Sequence, residues 1–221
     1  MTPSYIGRYK ILDLLGQGSM STVYQARDPD LERDVVVKVV TLANPNSSDE
    51  WRRRFKREVQ AAGRLNHPHI VTVYDVSLDH DPPYVVMELL SGGTLREHLQ
   101  HGSLPWRKTL TLFQPLIQAL AYAHRAGVIH RDIKPGNIMF AGGRSERPSA
   151  EAPPEILKLV DFGLARQQDD SLQLTQAGAV FGTPAYLSPE QARGDVVDAR
   201  TDIFAIGIVL FESISGYNPL N

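Results

Sequence analysis

The chain has 221 residues, 42% of them hydrophobic and 22% charged, with 17 Gly and 15 Pro, enough for one large domain or two closely packed lobes and unlike a disordered or collagenous chain. Lys and Arg number 23 against 25 Asp and Glu, a formal net charge of -2 that supplies no global field for nucleic acid or anionic lipid. With no Cys, disulfides, thiolate zinc sites and thiol nucleophiles are excluded, so stability must come from a packed core.

From Tyr9 to about Tyr84 the pattern is that of a small sheet-rich lobe. Short β-branched or alternating runs predict strands over Tyr9 to Leu15, Thr22 to Arg27, Val35 to Val40, Ile70 to Asp75 and Tyr84 to Glu88. The turn signal Asp28-Pro29-Asp30 and the short gaps suit antiparallel hairpins. One helix interrupts the strands: Ser47 to Glu50 reads as a capping box, and Trp51, Phe55, Val59 and Ala62 form its apolar face, with an end near Asn66-His67-Pro68. After Ser91-Gly92-Gly93 helical periods take over, with helices expected over Thr94 to Gln100, Trp106 to Arg125 and Thr201 to Ser215. Pro115 predicts a kink or bulge in the second of these. The stretch AGGRSERPSAEAPPE reads as a surface loop between short strands at Ile138 to Phe140 and Leu157 to Val160. The resulting division is a lobe over 9–90 and a second over 91–221.

Four motifs carry chemistry. Gly16-Gln17-Gly18-Ser19-Met20-Ser21, followed by Thr22-Val23, is a glycine-rich turn between strands, able to bring backbone N–H groups up to phosphate oxygens. It is neither a dinucleotide fingerprint, which would open a helix, nor a Walker loop, which needs Gly-Lys-Ser/Thr. Lys38 ends the apolar run Val35-Val36-Val37, and Glu58, beside the apolar stripe of its helix, is the candidate counter-charge. His130-Arg131-Asp132-Ile133-Lys134-Pro135-Gly136-Asn137 concentrates polar groups between an apolar helix and a short strand. Asp161, at the end of another strand in Asp161-Phe162-Gly163, joins Asp132 and Asn137 in offering the oxygen ligands that Mg²⁺ prefers.

Taken together, in this order and spacing, these segments and Ser188-Pro189-Glu190 resemble the protein kinase family over about Tyr9 to Tyr217. HRDIKPGN and GTPAYLSPE look like a serine/threonine-specific kinase of the bacterial, eukaryotic-like type. Ser21 for the third glycine and Ser188 for the alanine of the APE motif are departures that remove no catalytic group. The resemblance implies an α+β bilobal kinase fold: a small antiparallel sheet lobe with one helix and a larger, mainly helical lobe. It implies an ATP-dependent phosphotransferase acting on protein Ser/Thr hydroxyls, with Mg²⁺ that Mn²⁺ could replace.

By that resemblance Lys38 would hold the α- and β-phosphates with Glu58 steadying it, Asp161 and Asn137 would bind metal, and Asp132 would orient the hydroxyl and accept its proton. Lys134 would neutralise the γ-phosphate, and Thr183 would hydrogen-bond Asp132 and Lys134. The glycine-rich loop would cover the phosphates. Leu15, Val23, Val36 and Met139 would enclose the adenine, Met87 would back the pocket, and Glu88 and Leu90 would offer backbone hydrogen bonds. Asp202 would brace the catalytic loop from a helix whose all-round apolar pattern predicts cover on every side.

Autophosphorylation is expected at Thr175, with Ser171 second, the phosphate pairing with Arg131, Arg166 and Arg54. Arg52, Arg53, Lys56 and Arg57 read as a solvated helix face rather than a nucleic-acid site, and His67 and His69 as loop packing rather than metal ligands. Asn46-Ser47-Ser48 fits a glycosylation pattern that would stay idle in the cytoplasm. The N-terminus lacks a leader pattern and no apolar run approaches the ~18 residues of a membrane span, so a cytoplasmic location is expected. Competing readings are a nucleotide-binding pseudokinase scaffold, a small-molecule kinase, or an inactive fragment: the family continues with further helices past Tyr217, which would leave Phe204, Ile208 and Phe211 part-covered. A homodimer through the small lobe stays open.

Overall fold

The short β-branched runs and turn residues of the first part fold as an antiparallel sheet. In the computed structural model, which describes residues 3–18, 21–40, 49–142, 155–162 and 184–220, the chain divides into two compact units. One comprises Met1–Asn66 and Val71–Leu89, the other His67–Ile70 and Leu90–Asn221.

The first unit holds β1 (Tyr5–Ile6), β2 (Tyr9–Gln17), β3 (Ser21–Asp28), β4 (Arg33–Val40), α1 (Asp49–Gly63), β5 (Val73–Ser77) and β6 (Tyr84–Glu88). Its six-stranded sheet has the order β1-β2-β3-β4-β6-β5, every neighbouring pair antiparallel. Side chains alternate along β4, so Val35, Val37 and Val39 lie on one face and Val36, Lys38 and Val40 on the other, all of them buried. The odd-numbered face forms a core with Ile6, Tyr9, Ala26, Tyr84 and Val86. Tyr9 Oη donates to Asp75 Oδ2 at 2.8 Å, which ties β2 to the distant strand β5.

Helix α1 buries Phe55, Val59 and Ala62 at helical spacing and packs against β5, while Arg53, Lys56 and Arg57 are exposed. The basic run is thus a solvated face at each described side chain. The capping residues Ser47 and Ser48 and the Trp51, Arg52 and Arg54 side chains lie outside the described residues.

One predicted strand is displaced. The expected Ile70 to Asp75 run pairs only from Val73, because the His67–Ile70 segment belongs to the second unit, where Ile70 bridges Leu159 in parallel and Leu159 N–H donates to the His69 carbonyl at 2.9 Å. His69 Nδ1 donates to the Leu157 carbonyl at 2.7 Å and His67 packs its ring on Tyr122, so both histidines serve packing.

In the second unit come α2 (Leu95–Leu99), α3 (Trp106–Arg125), a 3-10 turn (Pro135–Asn137), β7 (Ile138–Phe140), β8 (Leu157–Leu159), a second such turn (Pro184–Tyr186), α4 (Pro189–Arg193) and α5 (Ala199–Ser215). Thr94 and Glu97 cap α2 reciprocally. Gly92 is required by close approach: a Cβ there would collide with the Gly142 carbonyl and with Phe140. Helix α3 turns Leu112, Phe113, Leu116, Leu120 and Ala123 inward and packs on α5 and β8. It runs on as α-helix through Pro115, with no bulge; the missing N–H costs one intrahelical bond.

Helix α5 meets one expectation and departs from another: Phe204, Ile208 and Phe211 are only part-covered, as expected, while the all-round cover that its apolar pattern predicts is not found. Its composition is apolar nearly all round, yet burial follows a single stripe, Thr201, Asp202, Ala205, Ile206, Val209 and Ser213. Ile203, Phe211 and Ile214 are exposed and Phe204 and Ile208 half-buried, because α3 and the Pro184–Tyr186 turn cover only one side.

Candidate active site

The polar segment between α3 and β7 is folded by hydrogen bonds from outside itself. Asp202, fully buried on α5, accepts the His130 N–H through Oδ2 and the Arg131 N–H through Oδ1, each at 2.8 Å, and His124 Nε2 donates to Oδ2 at 2.7 Å. His130 Nε2 donates to the Val160 carbonyl at 2.9 Å, and its Nδ1 accepts the Asp132 N–H at 3.3 Å. Since a carbonyl can only accept and the Asp132 N–H can only donate, His130 is held as the neutral Nε2–H tautomer. Its ring also lies against Phe162, with centroids 4.6 Å apart.

This frame presents three side chains together. Lys134 Nζ donates to Asp132 Oδ2 at 2.8 Å, and Asn137 Nδ2 donates to the same oxygen at 2.9 Å and to the Asp132 carbonyl at 2.8 Å. Asp132 and Lys134 keep 30% and 28% of their side chains exposed, so the pair is reachable by substrate, whereas Asn137 is buried. Buried Ile133 anchors the segment between them. The Val160 N–H donates to the Asn137 carbonyl at 3.0 Å, which continues the β7–β8 pairing one residue past Leu159 and ties the residue before Asp161 to the loop. Arg131 and Asp161 both have positive φ, 65° and 64°, strained for residues with a side chain and characteristic of functional segments.

The donor set suits a hard divalent cation. With Nδ2 turned to Asp132, the Asn137 Oδ1 is its remaining side-chain acceptor, and Asp161 adds a carboxylate, the oxygen ligands of a Mg²⁺ ion completed by phosphates and water.

In the first unit, cross-strand register sets residues on the even-numbered face of β4. Val23 pairs with Lys38, Lys38 with Val85, and Val36 with Met87, so Val23, Val36, Lys38 and Met87 share one face of the sheet. Lys38, Val36 and Met87 are buried there, and Glu58 is half-buried on α1. The glycine-rich turn is a hairpin in which Gly16 pairs with Val23, Gln17 with Thr22, and the Gly18 N–H donates to the Ser21 carbonyl at 2.8 Å. Leu15 is exposed. Glu88 faces Thr72 twice, its N–H donating to the Thr72 carbonyl at 3.0 Å and its Oε1 accepting the Thr72 N–H at 2.8 Å. In the second unit Leu90 is buried and Met139 half-buried. Ser19, Met20, Arg166, Ser171, Thr175 and Thr183 lie outside the described residues.

Three contributors escaped the sequence reading: His124, Gln191 and Thr201. Gln191 caps α4 with Ser188 and donates Nε2 to the Arg131 carbonyl at 2.8 Å. Thr201 Oγ1 donates to Glu190 at 2.6 Å and lies 3.1 Å from Ser188 Oγ. The Ser-x-x-Gln spacing announces the cap, but nothing in it announces the bond to the loop.

A small antiparallel sheet unit with one helix, and a helical unit whose loop clasps an aspartate between a lysine and an asparagine, make up the protein kinase fold. The chain belongs to the protein kinase family, whose protein kinase domain model matches residues 9–221. It is 43% identical over 224 residues to the serine/threonine-protein kinase PknB of Mycobacterium leprae, covering 99% of this chain and 34% of that protein. Against the serine/threonine-protein kinase PrkC of Bacillus subtilis it is 39% identical over 216 residues, covering 97% and 31%. The chain therefore spans about a third of the length of these curated relatives. Among solved structures it is similar to the Mycobacterium tuberculosis PknI kinase domain, with a TM-score of 0.75 and 29% identity, covering 99% of this chain and 79% of that one. These likenesses are to bacterial, eukaryotic-like serine/threonine kinases. Among the described residues no helix is long and apolar enough to cross a membrane.

Proposed function

We propose that this chain transfers the γ-phosphoryl group of ATP to Ser or Thr hydroxyls of protein substrates. The observation that carries the reading is the meeting of Lys134 and Asn137 on one oxygen of a part-exposed Asp132. Two donors on Oδ2 fix the carboxylate in orientation, and the carboxylate would align a substrate hydroxyl and receive its proton. Lys134 stands where it can counter charge growing on the transferred phosphoryl oxygens.

Asn137 and Asp161 would hold Mg²⁺, which when bound neutralises phosphate charge. In the first unit the buried Lys38 needs a counter-charge, which Glu58 would supply, and the ammonium would engage the α- and β-phosphates. Gly16, Gln17, Gly18, Ser19, Met20, Ser21 and Thr22 would cover the phosphates, while Leu15, Val23, Val36 and Met87 in the first unit would contact the base. Because the Glu88 N–H is taken by Thr72, its carbonyl is the group that would meet the base edge. Thr183 would support Asp132 and Lys134, and a phosphate on Thr175 or Ser171 would pair with Arg131 and Arg166. ATP as donor accords with a cytoplasmic location.

Incubation with γ-labelled ATP, Mg²⁺ and casein tests the reading. Label should enter Ser and Thr of casein with wild-type protein and not with Asp132→Asn. Nucleotide binding without transfer by the wild-type chain would favour the scaffold reading, and transfer only to small alcohols would favour a small-molecule kinase.

A further inference from the structure

The proposed chemistry depends on where Asp132 points, and the residue before it is under strain. Arg131 has φ 65°, a region that L side chains resist, so the conformation persists only if its peptide groups are held. Two side chains from different helices hold them. Asp202 on α5 accepts the Arg131 N–H at 2.8 Å, and Gln191 on α4 donates Nε2 to the Arg131 carbonyl, also at 2.8 Å. That carbonyl shares a peptide plane with the Asp132 N–H, which donates to His130 Nδ1. Fixing the carbonyl fixes the plane from which the Asp132 side chain departs.

Gln191 carries a second duty. Its Oε1 accepts the Ser188 N–H at 3.2 Å and lies 3.4 Å from Ser188 Oγ, while its own N–H donates to Ser188 Oγ at 3.3 Å. These partners determine the amide orientation, because an N–H must meet the oxygen and a carbonyl must meet the NH₂. We propose that Gln191 is a positioning residue for the catalytic loop, its amide oxygen capping α4 while its amide nitrogen locks the Arg131 carbonyl and thereby aims Asp132. The inference rests on the kinase reading for its effect on turnover, but its geometric content stands on the loop alone.

The two duties can be separated by one substitution. Gln191→Glu keeps an oxygen for the cap, as Glu97 does on α2, and turns an acceptor toward the Arg131 carbonyl, which repels it. The expected result is a fall in kcat of about tenfold or more with KM for ATP and the melting temperature unchanged. Hydrogen exchange at the Arg131 and Asp132 amides should quicken while α4 amides stay as in wild type. Turnover and exchange equal to wild type would overturn the proposal, leaving Gln191 a cap alone. If the wild-type chain transfers no phosphate, the kinase reading fails and amide exchange alone decides this one. Should Gln191→Glu not fold, Gln191→Ala, which removes the loop bond together with the Oε1 cap, is compared with Ser188→Ala, which removes only the hydroxyl part of the cap: slower turnover and faster Arg131 and Asp132 exchange in Gln191→Ala alone support the proposal, and equal effects in both variants overturn it.

Discussion

Asp202 holds the Arg131 N–H at 2.8 Å across 71 residues of sequence, so the helix α5 and the loop that carries Asp132 form one hydrogen-bonded body. The carboxylate is fully buried, and His130 N–H and His124 Nε2 also donate to it. A buried anion with three donors is stabilising only while every partner is present.

Replacing Asp202 by Asn turns an NH₂ toward donors that need an acceptor. We expect a loss of about 3 kcal/mol in unfolding free energy. Urea denaturation followed by tryptophan fluorescence measures it, and an unchanged midpoint would contradict the bracing role.

Asp132→Asn removes the proton acceptor and sets an amide against the Lys134 ammonium. Phosphoryl transfer should fall by about 10²- to 10⁴-fold while the circular dichroism spectrum and melting temperature stay near wild type, since this pair is part-exposed. Loss of activity accompanied by unfolding would reassign Asp132 to a structural role.

Glu190 gives an acid-side dependence. The Thr201 hydroxyl, and then its own backbone N–H, hold the Glu190 carboxyl below the ordinary carboxylate range. The folded-state value lies below the unfolded one, so the unfolded chain takes up the proton first as pH falls. The contribution is therefore complete above the ordinary carboxylate pKa of about 4.3 and disappears as pH drops through the folded value. Denaturant midpoints at pH 6 and pH 4, compared between wild type and Thr201→Val, should show a shallower acid loss in the variant.

Tyr186 gives an alkaline counterpart. Burial first, and then donation to Glu212 Oε2 at 2.6 Å, push its phenol up to about 12. With the folded value above the unfolded one, this contribution is present below the ordinary tyrosine pKa of about 10 and is lost as pH rises toward the folded value. Ultraviolet titration should show a late-ionising tyrosine that is absent from Tyr186→Phe, and the variant should be less stable at neutral pH by about 1–2 kcal/mol. A titration in which the variant matches wild type would remove Tyr186 from this role.

Much of the fold was legible because the relevant signals are local. Period-two runs located β2, β3, β4 and β6 to within two residues, helical periods located α3 at both ends, and α2 and α5 to within two residues. The site was legible in the same way: Asp132, Lys134 and Asn137 sit within one short segment, so their meeting needs only a tight loop. Where the reading slipped, the cause was a partner remote in sequence. Ile70 looks like the start of a strand, but Leu159 and the His69 carbonyl draw its segment into the other unit. The apolar pattern of α5 suggested cover all round, yet which side is covered depends on where α3 packs.

The sequence by itself determined the two classes of secondary structure and the order of the motifs, because propensity, periodicity and spacing act over a few residues, and it named the residues that we propose serve phosphoryl transfer. Only the tertiary structure decided what holds those residues in place. The Asp202 and Gln191 grips on either side of strained Arg131 join parts of the chain 71 and 60 residues apart. Such bonds arise from the packing of helices already formed, and a hydrogen bond between surfaces brought together by packing leaves no periodic trace along the chain. The length that first allowed one domain or two lobes resolves into two compact units, and the charge that offered no global field leaves recognition to a loop in which one carboxylate, one ammonium and one amide are held within 3 Å.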